Sequence, residues 1–252
     1  MRVLIVGAGI GGLSAAIALQ RRGIDAVLFE RTTELKEIGA GIAIAANAMK
    51  ALDSLGLADA VGQIGAEPPF YEIRSWRGEV LSRLSVSEQR EKLGATSVAT
   101  HRADLQAALL QGLAEAGGKV HLGTECVGFE QTEGYVRASF ASGREERADL
   151  LIGADGLNST VRERLLGDGP PRYAGYTAWR AVVRPQRKLV PHGAVESWGH
   201  RARGSFLPLL VKGESTGPQP RTRRRARKAD PLGAGWNLCF EASGAGMSRS
   251  RS

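Results

Sequence analysis

Three glycines and two acids set the chemistry open to this chain. Gly7, Gly9 and Gly12 in "VGAGIGG" stand in the G-x-G-x-x-G spacing. In that spacing the first glycine allows a tight turn, the second lets a pyrophosphate approach the backbone, and the third lets a helix pack closely on a strand. The helix that follows offers unpaired N–H groups and a partial positive charge to phosphate. Glu30 closes the next apolar run, "DAVLFE", with Arg31 beside it. A carboxylate there accepts hydrogen bonds from both ribose hydroxyls of an adenosine and repels a 2′-phosphate. Far along the chain, Asp155 sits between Gly153 and Gly156 in "LLIGADGLNSTVR". Its residues read two ways: an acceptor for a polar ligand over a cleared backbone, or a helix N-cap, Asp155 or Asn158, before "STVRERLL". The first motif alone does not choose between NAD and FAD. A second glycine-flanked acid is not needed for NAD, whereas a flavin has ribityl and ring parts that reach beyond the first turn.

The elements that must place these groups follow from periodicity. Arg2–Val6 is a short apolar run of the kind buried at the centre of a parallel sheet. Residues 11–22 form a helix with Leu13, Ala16 and Ile17 along one side, ended by Gly23, and "DAVLFE" returns as a strand. This is a βαβ opening. A helix over "AANAMKALDSLGLADAV" and an antiparallel pair turning at Arg77-Gly78 come next. "RADLQAALLQGLAEAG" is an amphipathic helix, then "KVHL", "CVGFE", "YVRASF" and "YTAWRAVV" read as strands. The order predicts an α/β fold: a Rossmann-like nucleotide-binding domain with a parallel sheet plus an incomplete sheet-rich substrate domain. The expected boundaries are 1–70 with 97–168 for the first, and 71–96 with 169–211 for the second.

Composition narrows the classes. The 252 residues are 42% hydrophobic and 24% charged, ordinary for a globular protein. The net charge of +8 hints at nucleic acid, but residues 212–252 carry nine Lys and Arg against three Asp and Glu, a net +6, leaving 25 against 23 elsewhere. That tail is rich in Gly, Pro and Arg without period, and is expected to be disordered. Its run "RTRRRARK" would bind phosphate in a salt-dependent way, yet no aromatic platform or groove-reading helix accompanies it, so no specific nucleic-acid partner is expected. The N-terminal apolar run resembles a signal peptide in outline, but Gly7, Gly9, Gly11 and Gly12 suit a strand–turn–helix better. No membrane span is expected, and the cytoplasm is the expected location. Cys126 and Cys239 lie far apart and His101, His121, His192 and His200 show no ligand spacing, so neither a metal site nor a disulfide is expected.

Taken in order, "VGAGIGGLSAAIAL", "LFER", "GAGIAIAANAMKALDSLGL", "HRADLQAAL", "LLIGADGLNSTVR" and "YAGYTAWRAVV" resemble the single-component FAD-dependent aromatic hydroxylases, especially the branch with urate and salicylate hydroxylases. The resemblance runs from Arg2 to about Leu209. It implies that Gly7, Gly9 and Gly12 hold the FAD pyrophosphate, Glu30 with Arg31 the adenosine ribose, and the Cys126 backbone the adenine. It implies further that Arg102 meets the ribityl-phosphate side, that Gly41 and Ala43 give backbone contacts near the flavin, and that Asp155 serves both FAD and a transient NADH or NADPH. Arg180 and Arg203, on the second sheet, become candidates for the substrate side. The implied reaction uses NAD(P)H and O2 to hydroxylate an aromatic or other electron-rich small molecule, the hard step being the cofactor's. The alternative is an FAD-binding NAD(P)H oxidoreductase without oxygenase chemistry.

The chain also departs from that family. The later strand leading to Gly-Asp, small residues, His and Pro has no counterpart; Gly167-Asp168 follows a helix and lacks the right sequel. The expectation is therefore an N-terminal portion of such a hydroxylase with an unrelated tail, binding FAD poorly and turning over little.

Overall fold

A computed structural model of the chain describes residues 1–35, 39–167, 169–183, 193–200 and 202–209, and the backbone of Gly235–Ser243. The run 221–228, His192 and Asp168 lie outside the described residues. Two compact units emerge: Met1–Ile38, Asp53–Leu57 and Ala103–Tyr173 form one, and Gly39–Leu52, Ala58–Arg102 and Ala174–Ser252 the other.

The first unit is built on a four-stranded parallel sheet. β1 (Arg2–Val6) lies between β2 (Asp25–Phe29) and β11 (Leu150–Gly153), and β7 (Val120–His121) flanks β2. Val3, Leu4 and Ile5 are fully buried, as a central parallel strand requires. Each such aliphatic side chain contributes about 1.5–3 kcal/mol by leaving water. α1 (Ile10–Gln20) covers this sheet with Leu13, Ala16 and Ile17, and Gly23, at φ +72°, ends the connection to β2. An antiparallel sheet of β8 (Cys126–Thr132), β9 (Tyr135–Phe140) and β10 (Glu145–Ala148) supplies a second layer. Phe29 joins the layers, its ring 4.5 Å from that of Phe140 and stacked at 5.1 Å on His121. α5 (Arg102–Glu115) buries Leu105, Leu109 and Leu113, and α6 (Thr160–Leu166) follows β11.

The second unit carries a six-stranded sheet. β4 (Phe70–Ser75) and β5 (Val80–Ser85) form the hairpin expected around Arg77-Gly78. The sheet continues through β13 (Ala194–Trp198), β14 (Ala202–Leu209), β15 (Gly235–Ser243) and β12 (Tyr176–Val183). β3 (Gly41–Ile44) pairs antiparallel with β6 (Val98–His101), and α4 (Val86–Leu93) ends at Gly94 in the left-handed region.

Three local features differ from the sequence expectation. The helix expected over residues 45–61 is two, α2 (Ala46–Ser54) and α3 (Ala58–Ile64), because Gly56 turns the chain at φ +60°. β10 follows a turn at Gly143, φ +82°, in a stretch too charged to alternate visibly. Gly235–Ser243, expected within an aperiodic tail, pairs along its length with both β12 and β14. Among the described residues no helix is long and apolar enough to cross a membrane.

Candidate cofactor-binding site

The glycine-rich turn is built by backbone proximity. Gly7 leaves β1 at φ +103°, and its N–H donates to the Phe29 carbonyl at 2.7 Å. A Cβ on Gly7 would lie 2.4 Å from the Ala154 oxygen and 2.9 Å from Asp155 Cα. One on Gly12 would lie 1.9 Å from the Gly7 oxygen, so helix and strand meet at the van der Waals limit of bare backbone. Gly9 differs: a Cβ there meets nothing within 4 Å. It is the N-cap of α1, in extended conformation, with no side chain bonding the first turn and no acidic residue in it. The three glycines thus supply the turn, the close packing and an open approach to a helix N-terminus. That cradle fits a dinucleotide pyrophosphate.

Ala8, between the first two glycines, is fully buried and held on both sides. Its N–H donates to Glu30 Oε2 at 2.8 Å, and its carbonyl accepts from Gln106 Nε2 at 2.9 Å. Glu30 Oε1 accepts the Thr32 N–H at 3.0 Å. Each carboxylate oxygen retains capacity for a further donor.

Five of the expected residues, Gly7, Glu30, Arg31, Cys126 and Asp155, line one cavity. The parallel pairing of β1 with β11, Val6 opposite Gly153, brings the second motif to the end of the first strand. Asp155 Oδ1 accepts from Ser159 Oγ at 2.6 Å and Oδ2 accepts the Val161 N–H at 3.1 Å. The capping reading of Asp155 is therefore realised in part, while the N-cap is Ser159, whose Oγ accepts the Arg162 N–H; Asn158 does not hold that place. Burial pushes the Cys126 thiol above its ordinary value, and the nearby Asp155 carboxylate adds to the rise. A shift in that direction favours the protonated thiol near neutrality.

Gly41, Ala43, Arg102, Arg180 and Arg203 belong to the second unit. Gly41 and Ala43 face His101 and Ala99 across β3 and β6, and the Arg102 N–H donates to the Ala40 carbonyl at 3.1 Å. Those three residues therefore stand together. Arg180 and Arg203 oppose residues 239 and 241 of β15, two apart, so both arginines lie on the same face of the sheet. Arg203 Nη1 is 3.6 Å from Glu196 Oε1. Sequence reasoning passed over Gln106 and Ser159. The residue type of Ser159, a favoured N-cap directly before "TVRERLL", could have found the second; nothing local marks the first, which lies far along the chain from the residue it holds.

A family model described as FAD binding domain matches residues 1–215. The chain belongs to the FAD binding domain family. It is 40% identical over 209 residues to the aurachin C monooxygenase/isomerase of Stigmatella aurantiaca, covering 83% of this chain and 54% of that protein. It is 33% identical to the 3-amino-4-hydroxybenzoate 2-monooxygenase PtmB3 of Streptomyces platensis, covering 94% of this chain and 63% of that protein. This second alignment extends beyond Leu209, where the motif resemblance fades. Among solved structures, Klebsiella pneumoniae HpxO complexed with FAD and uric acid superposes with a TM-score of 0.80 at 29% identity, covering 99% of this chain and 58% of that one. The chain spans about half the length of the curated relatives it matches first.

Proposed function

We propose that the chain holds FAD in its first unit and serves an NAD(P)H- and O2-dependent hydroxylation of an aromatic or other electron-rich small molecule. The observation that carries this reading is the convergence of Gly7, Glu30 and Asp155 on one cavity at the end of β1. In this reading the first turn of α1, opened by Gly9 and Gly12, binds the pyrophosphate, and Glu30 with Arg31 binds the adenosine ribose. The Cys126 backbone meets the adenine, and Asp155 lies on the path of the rest of the dinucleotide. Arg102, Gly41 and Ala43 are assigned to the flavin side, and Arg180 and Arg203 to orienting the substrate. A guanidinium suits that task because the acids and phenols such enzymes hydroxylate are anionic or strongly polar. The flavin, when bound, supplies the redox chemistry between NAD(P)H, oxygen and substrate. The protein's share is to bind, align and keep water from the reacting atoms.

The relatives named for 3-amino-4-hydroxybenzoate and the neighbour complexed with uric acid support a small ring compound as substrate. The reading places the chain in the cytoplasm, where two separate cysteines stay reduced, and includes no specific nucleic acid. The test has two stages. Purified chain is titrated with FAD by flavin fluorescence, then given NADH or NADPH and a panel of hydroxybenzoates and uric acid in an oxygen electrode. The expected result is weak but saturable FAD binding and low oxygen uptake, matched to hydroxylated product. FAD reduction without coupled product would favour the reductase reading, and no saturable FAD binding would sink both.

A further inference from the structure

Gln106 belongs to no motif, yet its side chain reaches the centre of the glycine-rich turn. Its amide Nε2 donates to the Ala8 carbonyl at 2.9 Å across 98 positions of sequence. The residue is half-buried on α5, and its neighbours Leu105 and Leu109 are packed in the core, which fixes where it stands. Ala8 has no exposed surface, so its carbonyl has no water to turn to. Glu30 already holds the N–H on the other side of the same residue.

The consequence follows from peptide planarity. The Ala8 carbonyl and the Gly9 N–H belong to one trans peptide unit and point in opposite directions. A donor that fixes the carbonyl also fixes the direction of that N–H. Gly9 is the N-cap of α1, and the space beside it is open. We infer that Gln106 is a positioning residue, which orients the Ala8–Gly9 peptide plane so that Gly9 presents its N–H to the pyrophosphate of a bound dinucleotide. This inference rests on the FAD reading of the site, but the clamp itself exists in the ligand-free chain. It makes the loop's aim depend on a side chain from another helix, beyond the glycine spacing.

The test compares Gln106→Leu and the isosteric Gln106→Glu, which lacks the amide donor, with Gln111→Leu. Gln111 lies on the same helix, with its amide bonded to Glu115 at the surface. Amide hydrogen exchange of the ligand-free proteins is read over residues 7–12 and, as reference, over β9. Affinity is read by FAD titration. Both Gln106 variants are expected to raise exchange in the turn about fivefold or more, leave β9 unchanged and weaken FAD about tenfold, the size of one buried hydrogen bond lost. Gln111→Leu should match wild type in both. Wild-type exchange in the turn of the Gln106 variants would overturn the inference. So would an equal rise in β9, which would make Gln106 a general stabiliser, or wild-type FAD affinity despite a loosened turn. If the unaltered chain takes up no FAD, the function proposed above fails, and the clamp is decided by exchange alone.

Discussion

The two units solve opposite problems. In the first, the polar groups around the glycine-rich turn are engaged from more than one side: Ala8 through both its backbone groups, Glu30 and Asp155 through both their oxygens. In the second, the strand bearing Arg180 is exposed along its whole length, with Trp179 at 49%. Arg203, on the same face, meets Glu196 in a partly exposed pair. A site for an invariant piece of ligand, a pyrophosphate and a ribose, is made by backbone approach and admits few residue types. The surface that the proposed function assigns to substrate is instead presented by side chains on sheet strands. Substitutions should therefore damage the first unit through geometry and the second through packing or charge.

The largest effect is expected at Gly12. A valine there would place its Cβ within 1.9 Å of the Gly7 oxygen, and neither α1 nor the end of β1 can yield without moving the other. Gly12→Val should cost about 3 kcal/mol, at the upper end of overpacking penalties, and abolish FAD binding. Gly11 is its neighbour in the same helix, where a Cβ would meet nothing within 4 Å. Gly11→Ala should instead stabilise by about 0.5–1 kcal/mol by removing glycine's freedom in the unfolded chain. Chemical denaturation of both variants checks the pair. Equal destabilisation would mean that the helix dislikes any change, and that the close approach is not the cause.

This contrast also explains what could be read from the chain. Gly7, Gly12, Glu30 and Asp155 were legible because close approach and capping demand particular residue types at fixed offsets. β1, α1, β2, α5 and the hairpin of β4 and β5 were legible from period and turn residues. Gln106 was not, since a single long-range hydrogen bond leaves no spacing to detect. β13, β14 and β15 were not, because their pairing is specified by partners far away in sequence. "WNLCF" carries an apolar cluster but no neighbouring pattern that assigns it a place. Gly56 was read through because the apolar period continues on both sides of it.

In the second unit the most sensitive polar position is Glu72. It is 3% exposed on β4, bonded to Arg74 Nε, with Arg83 Nε at 3.8 Å. Glu72→Ala strips both arginines of their carboxylate, but both side chains reach solvent and can rehydrate. The loss is expected at about 1–2 kcal/mol, below that of an uncompensated buried charge. Thermal melts of Glu72→Ala, of Arg74→Ala and of the double variant decide it. A double variant as damaged as the sum of its parts would show that the pair does not interact.

A smaller effect, and one that depends on pH, belongs to Glu146. Burial pushes its carboxyl up, but Arg144 and Arg2 outweigh that and hold it below its ordinary value of 4.5. The Arg2 guanidinium is 2.9 Å away. Because the folded state prefers the carboxylate more than the unfolded state does, the stability from this group is present above pH 4.5 and is lost as pH falls through the lower folded value. Glu146→Gln should lower stability at neutral pH by less than about 1 kcal/mol and flatten the acid limb of the curve. A difference that widens as the pH drops would have the wrong sign and would remove this cluster from the account.

The smallest effect on stability is expected at Arg203. Its side chain is 48% exposed and its Nη1 is 3.6 Å from Glu196, which also accepts from the Trp198 indole N–H. A pair of that kind contributes little against the entropy of holding it, so Arg203→Ala should shift unfolding by no more than about 0.5 kcal/mol. Its consequence should appear instead in ligand binding, as weaker uptake of an anionic aromatic compound with FAD affinity unchanged. Arg203 lies on a sheet strand while its proposed task lies outside the fold, so stability and substrate uptake should separate at this residue. If Arg203→Ala unfolded as readily as Glu72→Ala, the arginine would be part of the scaffold, and the exposed face of the sheet would lose its strongest claim to a substrate. If stability and substrate uptake both stayed unchanged, the substrate's charge would have to be met by another group, and Arg180, on the same face, would be the next to replace.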